Sequence, residues 1–359
     1  MVAVPPRVDL HPAGQRRARG SFYGLVTKYP AVAAMGSLVL LCNLFIAPGR
    51  FADYYQYLFI TDGLTFFYSG SWLGFEAGSN LILLSLRVIT GNTVVAVNIA
   101  HYLLGVAYIY LYFLIIREEQ VGWRGVLISF ALYGSLLAFV TIRATPAYLL
   151  VTMAALQATR GRVSAIWLAL AATLFHVSAV LTILPIAIGV LQNRLRVLRW
   201  VTDSTRSLAV VVGSAILLFG LLQATFASAV NAVIGAIPFL GKYVVYTAAL
   251  DPLKDTGGGA TTSSNHLIYA VIMSVLVLAG LLMPEERCRR MRAYFLSSYA
   301  IFLFLEFSPI TAYRQSQFWV IPLLLVFPWH RVAPAGFRSI MLVALCLALF
   351  AFTMRGVYA

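Results

Sequence analysis

Ionisable residues set in apolar sequence mark the places to look for chemistry, because a charge at a lipid boundary or protein interior is costly unless it is paired or used. Four polar islands qualify. Arg50-Phe-Ala-Asp53-Tyr54-Tyr55-Gln56-Tyr57 directly follows the first long apolar run. Gly74-Phe-Glu76-Ala-Gly78-Ser-Asn80 places an acid between glycines, the pattern of a tight turn entering a helix, whose N-terminus favours a carboxylate. In Thr141-Ile-Arg143-Ala-Thr145-Pro146-Ala-Tyr148, the proline fits the first turn of a helix beginning near Ala144. Arg143 then stands at the end of the helix dipole that a cation avoids. An anion bridging Arg143 and the free backbone amides would resolve that conflict. Pro309-Ile-Thr-Ala-Tyr313-Arg314-Gln315-Ser316-Gln317 repeats the arrangement with Arg314.

Two further segments join them. Phe175-His176-Val-Ser178 interrupts a long apolar run, and its imidazole could act as a general base, a neutral donor to an anion, or a hydrogen-bonded structural group. The stretch 228–264 carries Lys242, Tyr246, Asp251, Lys254 and Asp255 before Gly257-Gly258-Gly259. That glycine run is not a phosphate loop, since no Lys-Ser/Thr follows it. No Asp-x-Asp pair, clustered histidines or Gly-x-Ser-x-Gly elbow occurs, so neither a metal site nor a serine-hydrolase elbow is expected. Each island has a bland explanation: interfacial belts use tyrosine, and arginines snorkel. Together, two arginines that can grip phosphate oxygens in bidentate fashion, two acids, a histidine and several flat tyrosines suit a large anionic lipid carrying a sugar.

The elements that would hold these groups follow from composition. The chain has 359 residues, 61% hydrophobic and 11% charged, against about 25% charged in ordinary soluble domains. That predicts an all-α polytopic transmembrane bundle of about 10–12 spans, several short or re-entrant. The long unbroken apolar runs argue against a β-barrel, whose strands alternate. Residues 1–29 read as a basic cytoplasmic tail and 30–359 as one transmembrane domain, with Pro30 to Ala47 as a retained first span and 49–78 and 228–264 outside. The net charge of +14 is read as loop asymmetry, not as affinity for nucleic acid. Cys42, Cys288 and Cys346 are too scattered for a disulfide framework.

Putting every basic loop inside requires an even number of crossings between Arg162 and Arg194, so the run 163–192 is expected to split into two short helices with His176 at the outer vertex. The run 79–90 is expected as a re-entrant or interfacial helix on the outer side. Seven basic residues then remain outside: Arg50, Arg87, Arg143, Lys242, Lys254, Arg314 and Arg355.

The order Asp53-Tyr54-x-x-Tyr57, Glu76 with Gly78, Arg143, Phe175-His176-x-Ser178-Ala179, Tyr246 and Arg314 resembles the EpsG-like branch of the Wzy-type bacterial polysaccharide polymerases, over about residues 50–320. Ala144 and Ala77 depart from that family's Gln and Pro. The resemblance implies a GT-C-like, metal- and cofactor-independent glycosyltransferase of the bacterial inner membrane. Its site would face the periplasm and join oligosaccharide repeats carried on undecaprenyl diphosphate, with a chain-length regulator as a further partner. For that reaction Arg143 and Arg314 are the candidates to stabilise the diphosphate without a metal, and Asp53, Glu76 and His176 compete for the acceptor hydroxyl, the two acids ahead of His176, which could instead contact the diphosphate. Arg50, Tyr54, Tyr57, Lys242, Tyr246, Tyr313 and Gln315 would line the substrate path. An O-antigen ligase or other prenyl-phosphate transferase would use the same arginines. A lipid-linked saccharide flippase should instead show repeats and mid-membrane charges. A membrane acyltransferase would need an acid near His176 in sequence, which is missing.

Overall fold

The computed structural model describes Pro30 and residues 32–51, 53–66, 76–118, 120–192, 194–218, 263–305, 309–332 and 337–357. Lys242 and Tyr246 lie outside the described residues, as do the N-terminal tail and the glycine run. The described residues form an all-α protein with no strand among them.

The first helices are α1 (Val32–Phe45), α2 (Tyr54–Phe66), α3 (Ala77–Thr90), α4 (Thr93–Ile116), α5 (Trp123–Phe139) and α6 (Ala144–Ala158). Next come α7 (Ser164–Thr173), a 3-10 turn Val177–Thr182, α8 (Ile183–Leu191) and α9 (Arg196–Asp203), followed by α10 (Thr205–Leu218). The chain closes with α11 (Ser263–Leu282), α12 (Glu286–Phe304), α13 (Pro309–Val326), α14 (Trp329–Val332) and α15 (Phe337–Val357). Among the described residues α4 is the one unbroken helix long and apolar enough to cross a membrane, and most of the other apolar helices have 10–17 residues.

Local chemistry sets the breaks. Gly91 takes a left-handed conformation (φ 64°) and closes α3, and the Asn92 side chain accepts from Val94 and Val95 N–H to open α4. α3 therefore folds straight back along α4, and Leu83 shares one apolar cluster with Val97, Ala100 and Leu104. It is thus a flanking helix antiparallel to the first half of α4.

The 163–192 run does break at His176. A Cβ at Gly161, just before α7, would stand 3.8 Å from the Val190 carbonyl near the end of α8, so the two arms form a hairpin. At its open end Glu118 pairs with Arg160 at 2.7 Å and Gln120 donates to Thr159 at 2.7 Å. Arg124 donates to the Trp329 carbonyl, Arg331 pairs with Glu285, and Gln192 bridges to α12 through the Arg289 carbonyl and the Ala293 N–H. The basic loops at 117–124, 160–162, 192–206, 285–292 and 329–331 thus gather at one end of the bundle.

The core joins α5, α6, α12 and α13 around Trp319, Phe318, Tyr294 and Phe302. Gly125 lets α5 cross α13 closely: a Cβ there would come within 2.6 Å of the Leu324 carbonyl, which requires the absence of a side chain.

Candidate functional site

Opposite the basic end, three of the nominated side chains meet. Glu76 Oε2 accepts from Arg143 Nη1 at 2.6 Å, and Glu76 Oε1 lies 2.7 Å from His176 Nδ1. The Glu76 side chain is 8% exposed, Arg143 28% and His176 12%. The approach is made by backbone. Gly78 N–H donates to the Leu174 carbonyl at 2.8 Å and Ser79 Oγ to the Phe175 carbonyl at 3.2 Å, which seats the first turn of α3 on the hairpin vertex. A Cβ at Gly78 would meet the Leu174 carbonyl at 3.0 Å.

Glu76 also receives the Val177 N–H that opens the 3-10 turn. Burial alone would raise its pKa, but the His176 hydrogen bond, the Arg143 charge and the Val177 amide outweigh that and hold the carboxyl below its ordinary value. An ionised carboxylate only accepts hydrogen bonds. His176 Nδ1 therefore carries a proton toward Glu76, which leaves Nε2 as the ring's other nitrogen. Glu76 thus offsets the charge of Arg143 at the α6 N-terminus, and it accepts from three donors while held ionised. His176 does have an acid partner, 100 residues away in sequence.

Asp53 and Glu76 are also the described non-glycine residues with positive φ, 64° and 76°, a conformation that is rare for such residues and concentrated at functional sites. Asp53 keeps an exposed edge, yet the protein atoms crowding it withdraw enough water to push its carboxyl above the ordinary range, against the pull of Arg314 and Arg143. Tyr148 bridges the two sides. Its ring lies 6.2 Å from His176 and its hydroxyl donates to the Arg314 carbonyl at 3.5 Å. Tyr148 was overlooked as a site residue, although it stands on the buried face of α6 one turn beyond Thr145.

The remaining candidates separate. Tyr57 is buried with the Arg143 guanidinium 5.7 Å over its ring, and Tyr54 is buried with its hydroxyl on Asn98 at 2.8 Å. Neither offers an open face to a sugar, so both support the site from below. Tyr55 (75% exposed) and Tyr313 (41% exposed) are the open rings. Gln315 belongs to the core: it is fully buried, donates to the Ser298 carbonyl at 3.5 Å and accepts from Trp319 at 3.3 Å. Arg50 ends the 3-10 turn Pro48–Arg50, exposed. Arg87 and Arg355 stand in last helical turns, where a cation complements the dipole.

Beneath Tyr54 and Tyr57 lies His101, also overlooked, with ring centroids 5.7 and 6.0 Å away. His101 stands eight residues, about 12 Å, along α4 from Thr93. Two of the buried polar atoms without a hydrogen-bond partner, Arg143 Nε and Ser178 Oγ, belong to site residues or their neighbours, and among the described residues no three His, Cys, Asp or Glu side chains converge as metal ligands.

No family model matches this chain, and neither a curated protein nor a solved structure matches it.

Proposed function

We propose that the chain is a membrane-embedded glycosyltransferase that polymerises oligosaccharide repeats carried on a prenyl diphosphate such as undecaprenyl diphosphate, with its site toward the periplasm. The observation carrying this reading is the convergence, from three separate segments, of Glu76, Arg143 and His176, with Arg314 tied to the same cluster through Tyr148. The membrane part rests on apolar side chains left on the outside, among them Phe45 (84% exposed), Ile89 (78%), Leu184 (62%) and Phe352 (73%). A surface of this kind needs lipid to solvate it. With α4 as a full-length span, the shorter neighbours form a locally thin bundle. A lipid-linked head group could then meet the Glu76–Arg143–His176 cluster while its tail stays in lipid.

In the reaction, the acceptor sugar hydroxyl loses its proton to His176 Nε2 as its oxygen bonds to the anomeric carbon of the donor. The bond from that carbon to the diphosphate oxygen breaks, and the leaving prenyl diphosphate takes the electron pair. Arg143 and Arg314 stabilise the growing negative charge. Glu76 keeps the imidazole in the required tautomer and stabilises its protonated form. The buried, unpaired N–H of Arg143 Nε supplies a further donor once the site rearranges around an anion.

Polymer length in cells tests the proposal. Arg143→Ala and Arg314→Ala, each expressed at wild-type level, should leave single repeats on the outward-facing lipid. Accumulation of repeats on the inner face would favour a flippase, and normal polymer from both variants would remove the arginines from the mechanism.

A further inference from the structure

At the basic end, α9 stands at 93° to the helical segment Val177–Leu191. If that hairpin arm runs along the membrane normal, α9 lies in the membrane plane. Its faces suit that position. At about 100° per residue, Leu198 and Thr202 turn toward the bundle, Val197 (72% exposed) and Trp200 (69%) share an outer flank, and Arg196 and Arg199 extend exposed beside them. A short helix with an aromatic and aliphatic flank next to cations is the pattern of an interfacial anchor.

The helix is also held in place. Arg292, only 3% exposed, donates Nη1 to the Thr202 carbonyl at 2.6 Å and Nη2 to the Met283 carbonyl at 3.2 Å. A buried cation thus satisfies the C-terminal turn of α9, where the dipole favours it. The acids nearby do not cancel the charge. Glu286 is taken by Arg289 and Arg290, Glu285 by Arg331, and the charge of Asp203 acts on Arg289 and Arg292.

We infer that α9 is a binding site for anionic phospholipid head groups of the inner leaflet, with Arg196 and Arg199 on the phosphates and Trp200 seated at the acyl boundary. This rests on the membrane reading above, not on the catalytic one.

The test uses the detergent-purified full chain titrated with dioleoyl-phosphatidylglycerol or dioleoyl-phosphatidylcholine, reading the melting temperature. Phosphatidylglycerol should raise it more, and the excess should vanish in high salt. In Arg196→Gln/Arg199→Gln the half-saturating phosphatidylglycerol concentration should rise about five-fold per arginine removed, while Arg196→Lys/Arg199→Lys should keep most of the effect. Lipid brominated near the head group should quench part of the tryptophan emission, and Trp200→Phe should abolish that part. Equal response to the two lipids, an unchanged response in the Gln variant, or quenching untouched by Trp200→Phe overturns the inference while leaving the membrane reading intact. A chain that stays in solution without detergent overturns both.

Discussion

Glu76 makes the sharpest residue-scale statement, because its charge is held by Arg143, His176 and the Val177 amide. Its folded pKa is depressed, so the stability it contributes is present above the ordinary carboxylate value and is lost as pH falls through the lowered one. Glu76→Gln should destabilise the protein at neutral pH by on the order of 2–3 kcal/mol, since it leaves a partly buried arginine unpaired. The deficit should shrink on acidification, and a deficit independent of pH in thermal melts would contradict the assignment. Asp53 has the opposite sign. Its folded pKa is raised, so its stabilising contribution is greatest below the ordinary carboxylate value and is lost as pH rises. Asp53→Asn, which tolerates the left-handed backbone, should therefore leave neutral-pH stability unchanged or raise it by up to about 1 kcal/mol. It should at the same time lower turnover, and a melting temperature that falls along with turnover would argue that the Asp53 charge is structural.

The break at His176 was legible at the element scale because charge parity and a polar interruption pointed to the same place. The partner of His176 was not legible. Glu76 reaches it only because Gly78 allows the first turn of α3 to lie on the Leu174 carbonyl, a contact across 96 residues that no periodicity reports. Gln315 misled for a related reason. Its neighbour Arg314 is exposed, but the next position on α13 turns inward onto Trp319, and one residue of helix separates solvent from core. Tyr54 and Tyr57 misled because an aromatic turn beside an interface resembles a sugar platform until α3 and α4 are seen to cover it. Gly78→Val should push α3 off the hairpin vertex. Activity should fall by roughly 10²-fold, as small displacements of positioned groups do, while the melting temperature falls less than in a Gly125→Val variant, whose clash lies between core helices. Equal loss of activity and stability in the two variants would make Gly78 a packing glycine only.

For the whole molecule, composition already indicated helices with an apolar exterior, and the basic loops foretold which ends belong together. The gathering of Arg124, Arg160, Arg292 and Arg331 at one end, opposite Glu76, Arg143 and His176, follows from antiparallel helices joined by short loops. What composition could not convey is which helices are short: α4 has 24 residues, while α3, α5 and α6 beside it have 14, 17 and 15. That difference is why the proposal takes a lipid-linked diphosphate and not a soluble sugar nucleotide as donor. The most direct measurement is release of prenyl diphosphate from a synthetic prenyl-diphosphate oligosaccharide by the full chain reconstituted in liposomes. The wild type should release it with formation of dimeric and longer glycans, and Arg143→Ala, Arg314→Ala and His176→Ala should each be slower by about 10²–10³-fold. Wild-type rates from all three variants, or no release by the wild type when acceptor and donor are both supplied, would contradict it.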